Sequence, residues 1–109
     1  MNEIRVGIIG FGTVGKGLAE VLLAQQERLV KRTGMSIQLA GIADHGASAL
    51  PERFSHIPLT RDARSLIRDP NIDIIVELIG GIEPAKTFVL EAIEAGKHVV
   101  TANKALLSQ

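Results

Sequence analysis

A chain of 109 residues suits one domain with a real core but is short for an enzyme with separate cofactor and substrate regions, so we expect one domain, 1–109, cut from a longer protein. Lysine plus arginine and aspartate plus glutamate balance at 12 each, which removes the bulk electrostatic case for nucleic acid or an anionic membrane. Cysteine is absent, excluding a disulfide framework, a thiol nucleophile and a cysteine-based metal site; a reducing, cytoplasmic setting is compatible with that.

The charged start Met1-Asn2-Glu3-Ile4-Arg5 reads as neither a signal peptide nor a membrane span. Ile4, Val6, Ile8 and Ile9 form a β-branched run ended by Gly10, which predicts a buried parallel strand. Gly10, Gly12 and Gly15 then fall in G-x-G-x-x-G spacing, after the strand and at the opening of a helical pattern, the context that a dinucleotide-binding turn demands. In such a turn Gly10 allows the tight exit, Gly12 lets a pyrophosphate approach the backbone, and Gly15 lets the helix pack on the strand. Phosphates would sit at the helix N-terminus, where free N–H groups and the macrodipole favour anions. Gly10, Phe11, Gly12, Thr13, Val14 and Gly15 are therefore candidate cofactor-binding residues, with an ordinary glycine-rich turn as the alternative.

Val14, Leu18, Val21, Leu22 and Leu29 recur at three- and four-residue steps and predict one helix packed on the sheet, ending at Lys31, Arg32 and Gly34. Ser36 to Ala43 supplies strand two. Asp44 follows it, where a carboxylate can accept hydrogen bonds from ribose hydroxyls, although it lies further from the glycines than the usual spacing of about 20 residues. A long first helix accounts for the difference. No arginine stands immediately beside Asp44 to compensate a ribose phosphate, which favours NAD over NADP.

Residues 45–51 read as loop, Ile57 to Thr60 as a short third strand, and Asp62 as the cap of a brief helix through Arg68. Ile72 to Ile79, bounded by Gly80-Gly81, is the most apolar run and predicts a central strand. Pro84 fits the first turn of a helix whose Phe88, Val89, Ala92, Ile93 and Ala95 face inward and which Gly96 closes; His98 to Thr101 is the last strand. This alternation predicts an α/β fold with a doubly wound, Rossmann-like parallel sheet of order 3-2-1-4-5, and ligands at the strands' C-terminal ends near the switch between strands one and four. Gly80 joins the candidate cofactor-binding residues there. Glu77 is harder to place, because an ionised carboxylate in a buried strand is expensive unless paired: it either borders the cleft or binds backbone amides near Gly80. His45, His56 and His98 lack metal-ligand spacing, and no metal is expected.

Three stretches, Gly10-Phe11-Gly12-Thr13-Val14-Gly15, Val76-Glu77-Leu78-Ile79-Gly80-Gly81 with Pro84 following, and above all the run from Gly96-Lys97-His98 through Thr101-Ala102-Asn103-Lys104 to Leu107, closely resemble the N-terminal nucleotide-binding domain of homoserine dehydrogenase. The resemblance covers essentially the whole chain. It implies an oxidoreductase of amino-acid biosynthesis that reduces aspartate semialdehyde to homoserine with NAD or NADP, and it places Lys104 at the active site. A lysine just beyond a strand's C-terminal end also suits polarising a carbonyl or relaying a proton; the plain alternative is a solvated lysine at a helix start. By the same resemblance Thr101 and Asn103 contact the nicotinamide end or order the loop, Asn103 also suiting a helix cap.

In such proteins the substrate-binding acids, a second lysine and the dimer interface lie in a following domain. The chain alone is therefore expected to be inactive. Its expected partners are a nicotinamide dinucleotide and, only in a full-length enzyme that can be a homo-oligomer, a small amino-acid substrate; neither nucleic acid nor membrane is expected. The competing readings are a stand-alone nucleotide-binding regulatory module and the nucleotide domain of a related sugar or amino-acid dehydrogenase.

Overall fold

The computed structural model describes residues 2–46 and 49–102. In chain order it comprises β1 (Asn2–Ile9), α1 (Thr13–Ala24), α2 (Gln26–Thr33), β2 (Met35–Ala43), a 3-10 turn (Glu52–Phe54), β3 (Leu59–Thr60), α3 (Ala63–Ile67), β4 (Ile74–Glu77), α4 (Ala85–Glu94) and β5 (His98–Thr101). The strands form one five-stranded sheet of order β3-β2-β1-β4-β5, every pairing parallel, as the alternation of elements predicts. Among the described residues no helix is long and apolar enough to cross a membrane.

Because side chains alternate across a strand, the two faces of the sheet carry two separate cores. Val6, Ile8, Ile42 and Val76 meet Ala19 of α1 and Phe54 of the 3-10 turn on one face. Ile9, Ala43 and Ile75 meet Leu66 and Ile67 of α3 and Ala92 of α4 on the other. The β1–β2 register shifts between Val6, opposite Leu39, and Gly7, opposite Gly41. The extra residue, Ala40, resets the alternation, so Ile37, Leu39 and Ile42 all pack on the α1 side while Ala40 packs on the α3–α4 side. Gly41 is where α3 comes closest: an added Cβ would stand 2.7 Å from Leu66 Cδ2.

Three expectations need correction. The first helix is broken at Gln25 into α1 and α2; its apolar pattern runs out over residues 24–28, and the change of axis lets Leu29 and Val30 be half-buried beside β2. Val14 and Val21 face solvent at 63% and 56% exposure, and the residues turned to the sheet are Gly15 and Ala19. The same holds in α4, where Ile93 and Ala95 are exposed and Ala85 and Ala92 are buried. In both helices the fully buried positions are small residues, while Leu18 and Leu23 of α1 and Phe88 of α4 pack half-buried against the cores and Val14, Val21 and Ile93 turn outward.

Candidate functional site

The chain leaves β1 through Gly10, whose φ of +101° is strained for any residue with a side chain. Its N–H donates to the Ala43 carbonyl at 2.8 Å, fastening the turn to the end of β2. An added Cβ at Gly10 would stand 2.9 Å from the Leu78 carbonyl carbon and 3.0 Å from the Ile79 nitrogen, so the turn lies directly against the peptide that leaves β4. At Gly15 a Cβ would overlap the Gly10 carbonyl oxygen. Gly12 is different: its φ is −81°, and among the described residues no atom beyond its own chain neighbours lies within 4 Å of where a Cβ would be. The protein itself therefore does not require glycine at position 12; a group approaching the backbone from outside would.

Gly12 is the N-cap of α1, no side chain caps that terminus, and its first turn holds no acidic residue. The N-terminal amides of α1, with Thr13 and Val14 exposed around them, are thus not taken up by an acidic residue of the helix's own first turn. Phe11 is turned inward instead, 5% exposed, its ring edge-on to Phe54 at 5.6 Å between centroids. It supports the turn from below, so its side chain is not presented to a ligand.

Asp44 follows β2 and is half-buried. Its Oδ2 accepts from the Phe11 N–H at 3.0 Å and its Oδ1 from the Gly46 N–H at 3.0 Å. Each carboxylate oxygen retains acceptor capacity after these bonds. Since Ala43 pairs with Thr60, the residues leaving β2 and β3 lie side by side, and Asp44, His45, Arg61 and Arg64 line the same cleft. Arg64 is committed elsewhere: its Nε donates to both oxygens of Glu91 at 3.0 Å, and that bond and charge hold its guanidinium above the usual arginine range. Among the described residues Arg61 is exposed and makes no ion pair. The expectation that no arginine stands immediately beside Asp44 holds along the chain, and the fold adds that Arg61 and Arg64 line the same cleft without pairing with it. The strand order carried the missing signal, because positions just after neighbouring parallel strands become neighbours.

Across the switch point, Glu77 ends β4 and is completely buried. Its Oε2 accepts from the N–H groups of Ile79 at 2.7 Å and Gly80 at 3.4 Å, and its Oε1 accepts from Thr101 Oγ1 at 2.6 Å. Of the two placements expected for Glu77, binding amides near Gly80 is the one found. Gly80 has φ +88° and is exposed; it follows the cleft-lining Ile79, but neither it nor Thr101 lines the cleft itself. Asn103 and Lys104 lie outside the described residues; Thr101, the last residue of β5, is the nearest described site residue to them.

These pieces enclose a cleft of about 680 Å³, whose floor is Ile9, Gly10 and Ala43 and whose walls include Gly12, Asp44, Arg61, Leu78, Ile79 and Phe88. It has the size of a small-molecule or cofactor site and lies at the C-terminal ends of the strands where their order reverses. A dinucleotide fits the residues present: open space over Gly12 and an uncapped helix start for the pyrophosphate, and a fixed carboxylate at the end of β2 for a ribose diol.

A family model described as "Homoserine dehydrogenase, NAD binding domain" matches residues 10–109. The chain is 48% identical over 109 residues to the homoserine dehydrogenase of Methylobacillus glycogenes, covering 99% of this chain and 26% of that protein. Among solved structures it is similar to the homoserine dehydrogenase of S. aureus at pH 7.5, with a TM-score of 0.92 and 33% identity over 97% of this chain and 27% of that one. The homoserine dehydrogenase of Thiobacillus denitrificans gives a TM-score of 0.85 and 42% identity over 99% of this chain and 25% of that one. The chain thus spans about a quarter of the length of the curated relatives it matches.

Proposed function

Because the chain belongs to the homoserine dehydrogenase NAD-binding domain family, we propose that residues 1–109 are the cofactor half of a cytoplasmic enzyme of amino-acid biosynthesis that interconverts aspartate semialdehyde and homoserine. The observation that carries this reading is the contrast among the three glycines. Gly10 and Gly15 are closed in by the protein, whereas Gly12 faces open space at the uncapped start of α1, on the cleft.

The Gly12 backbone and the first amides of α1 hold the pyrophosphate, and Asp44 accepts from the adenosine ribose hydroxyls. Gly80 and Thr101 border the nicotinamide side, with Asn103 following on the chain. A nicotinamide dinucleotide bound here supplies the hydride that reduces an aldehyde to an alcohol. Lys104, three positions beyond the end of β5, gives a proton to the carbonyl oxygen as that carbon is reduced, or stabilises the charge developing there. The fixed carboxylate of Asp44 favours NAD, and the exposed guanidinium of Arg61 in the same cleft makes NADP acceptable in second place. The substrate pocket and any oligomer interface are supplied by residues outside 1–109, so this chain alone turns nothing over.

The test is to assay a longer form of the enzyme, carrying this chain at its N-terminus, for oxidation of NADH and NADPH with aspartate semialdehyde. Turnover with semialdehyde and none from the isolated chain is the expected result. Absence of turnover in a folded, dinucleotide-binding longer enzyme favours the regulatory module instead.

A further inference from the structure

The buried carboxylate of Glu77 is not accounted for by cofactor contact, since it faces three donors of the protein itself and is completely inaccessible. Those donors come from different pieces of the site. Ile79 N–H belongs to the peptide against which Gly10 packs, Gly80 N–H to the glycine loop at the rim, and Thr101 Oγ1 to the end of β5. Glu77 and Thr101 are also register partners in the β4–β5 pair, so the side-chain bond extends the ladder past its last residues. The Leu78 N–H donates to the Ile9 carbonyl at 2.8 Å, which leaves the chain free to diverge from the sheet only from Ile79 onward, where the carboxylate takes hold.

We propose that Glu77 is a positioning residue for the nicotinamide side of the cleft, an inference that rests on the dinucleotide reading above. One acceptor-only group gathers the exit of β4 and the exit of β5 and sets how far apart they stand. Ile79, which lines the cleft, is held by the shorter of its two amide bonds. The segment that leads to Lys104 starts from the strand end that Thr101 ties down. The adenosine side, built by Asp44 and the turn at Gly10, has fastenings of its own, Gly10 N–H to the Ala43 carbonyl of β2 and Phe11 N–H to Asp44, and meets Glu77 only through the Leu78–Ile79 peptide on which Gly10 packs.

Binding of NADH and of adenosine monophosphate to the 109-residue chain, measured in parallel by calorimetry and by NMR titration, separates the two sides. With Glu77→Ala, NADH affinity should fall about tenfold, the scale of a lost charge-assisted hydrogen bond, while the affinity for the monophosphate stays within about twofold. Glu77→Gln keeps an acceptor for Ile79 N–H and a group that can reach Thr101 Oγ1, and should restore most of the NADH affinity. Should the alanine variant fail to fold, Thr101→Val, which removes only a hydroxyl, should still weaken NADH selectively. Equal weakening of both ligands, or of neither, in the folded variants overturns the positioning role. A wild-type chain that binds neither ligand instead overturns the dinucleotide reading itself.

Discussion

The carboxylate of Asp44 holds the backbone N–H of Phe11 at 3.0 Å, so the residue expected to read the ribose also fastens the glycine turn that cradles the phosphates. Asp44→Ala then does two things at once. It removes the ribose acceptor, and it leaves the Phe11 N–H without its partner in a half-buried site. NAD affinity should fall by about tenfold or more, a loss of roughly 1.5 to 3 kcal/mol for a hydrogen bond to a charged group. NADP affinity should fall less, because the same change removes a negative charge opposing its phosphate. Calorimetric titration of both cofactors into both proteins checks this, and an unchanged affinity ratio would mean that Asp44 does not read the ribose.

Arg61 gives the opposite signature. It lines the cleft with Asp44 and makes no ion pair among the described residues, so Arg61→Ala should weaken NADP by about fivefold at low salt and leave NAD nearly unchanged. The difference should shrink as salt is raised, because the guanidinium is exposed. Equal effects on the two cofactors would remove Arg61 from the ribose-phosphate position.

Gly15 tests the packing rather than the ligand. A methyl group there overlaps the Gly10 carbonyl oxygen, a backbone atom that cannot swing aside. Gly15→Ala should therefore lower stability by roughly 1 to 3 kcal/mol, the usual cost of overpacking, read as a lower urea midpoint at unchanged slope. A midpoint equal to that of wild type would show that α1 can move off β1 freely.

The strand order was legible because each strand announces itself by β-branched residues and each crossover by a helix-length pattern; the last strand, His98 to Thr101, has the same limits in sequence and structure. The structural parts of Gly10 and Gly15, the tight exit from β1 and the close packing of α1, were legible for the same reason, as spacing and context fix them together. What the sequence concealed is whatever depends on distance between elements. Val14 and Val21 look like a core stripe until α1 is placed so close to β1 that Gly15 and Ala19 must take the inner face. Arg61 looks remote from Asp44 until β2 and β3 pair. For Glu77 the amides near Gly80 were within reach of the sequence, but its third partner, Thr101 of β5, emerges only once β4 and β5 pair.

Lys104 requires the longer enzyme. If its ammonium assists carbonyl reduction, Lys104→Ala should lower kcat by roughly 10² to 10⁴, the range for a positioned proton-transfer group, with little change in cofactor affinity. A lysine that binds ground and transition states equally would instead raise KM and spare kcat. Steady-state kinetics with aspartate semialdehyde separate the two.

The central claim is that the cleft above Gly12 takes a nicotinamide dinucleotide, and its most direct test is calorimetric titration of NADH into the 109-residue chain and its Gly12→Val variant. With φ at −81° and, among the described residues, no atom beyond the chain neighbours within 4 Å of the new Cβ, valine should fold as glycine does, with an unchanged circular dichroism spectrum. Its side chain would fill the space through which a pyrophosphate approaches. A one-to-one isotherm is expected for the wild type and no measurable binding for the variant. Equal NADH affinities in the two folded proteins would contradict it.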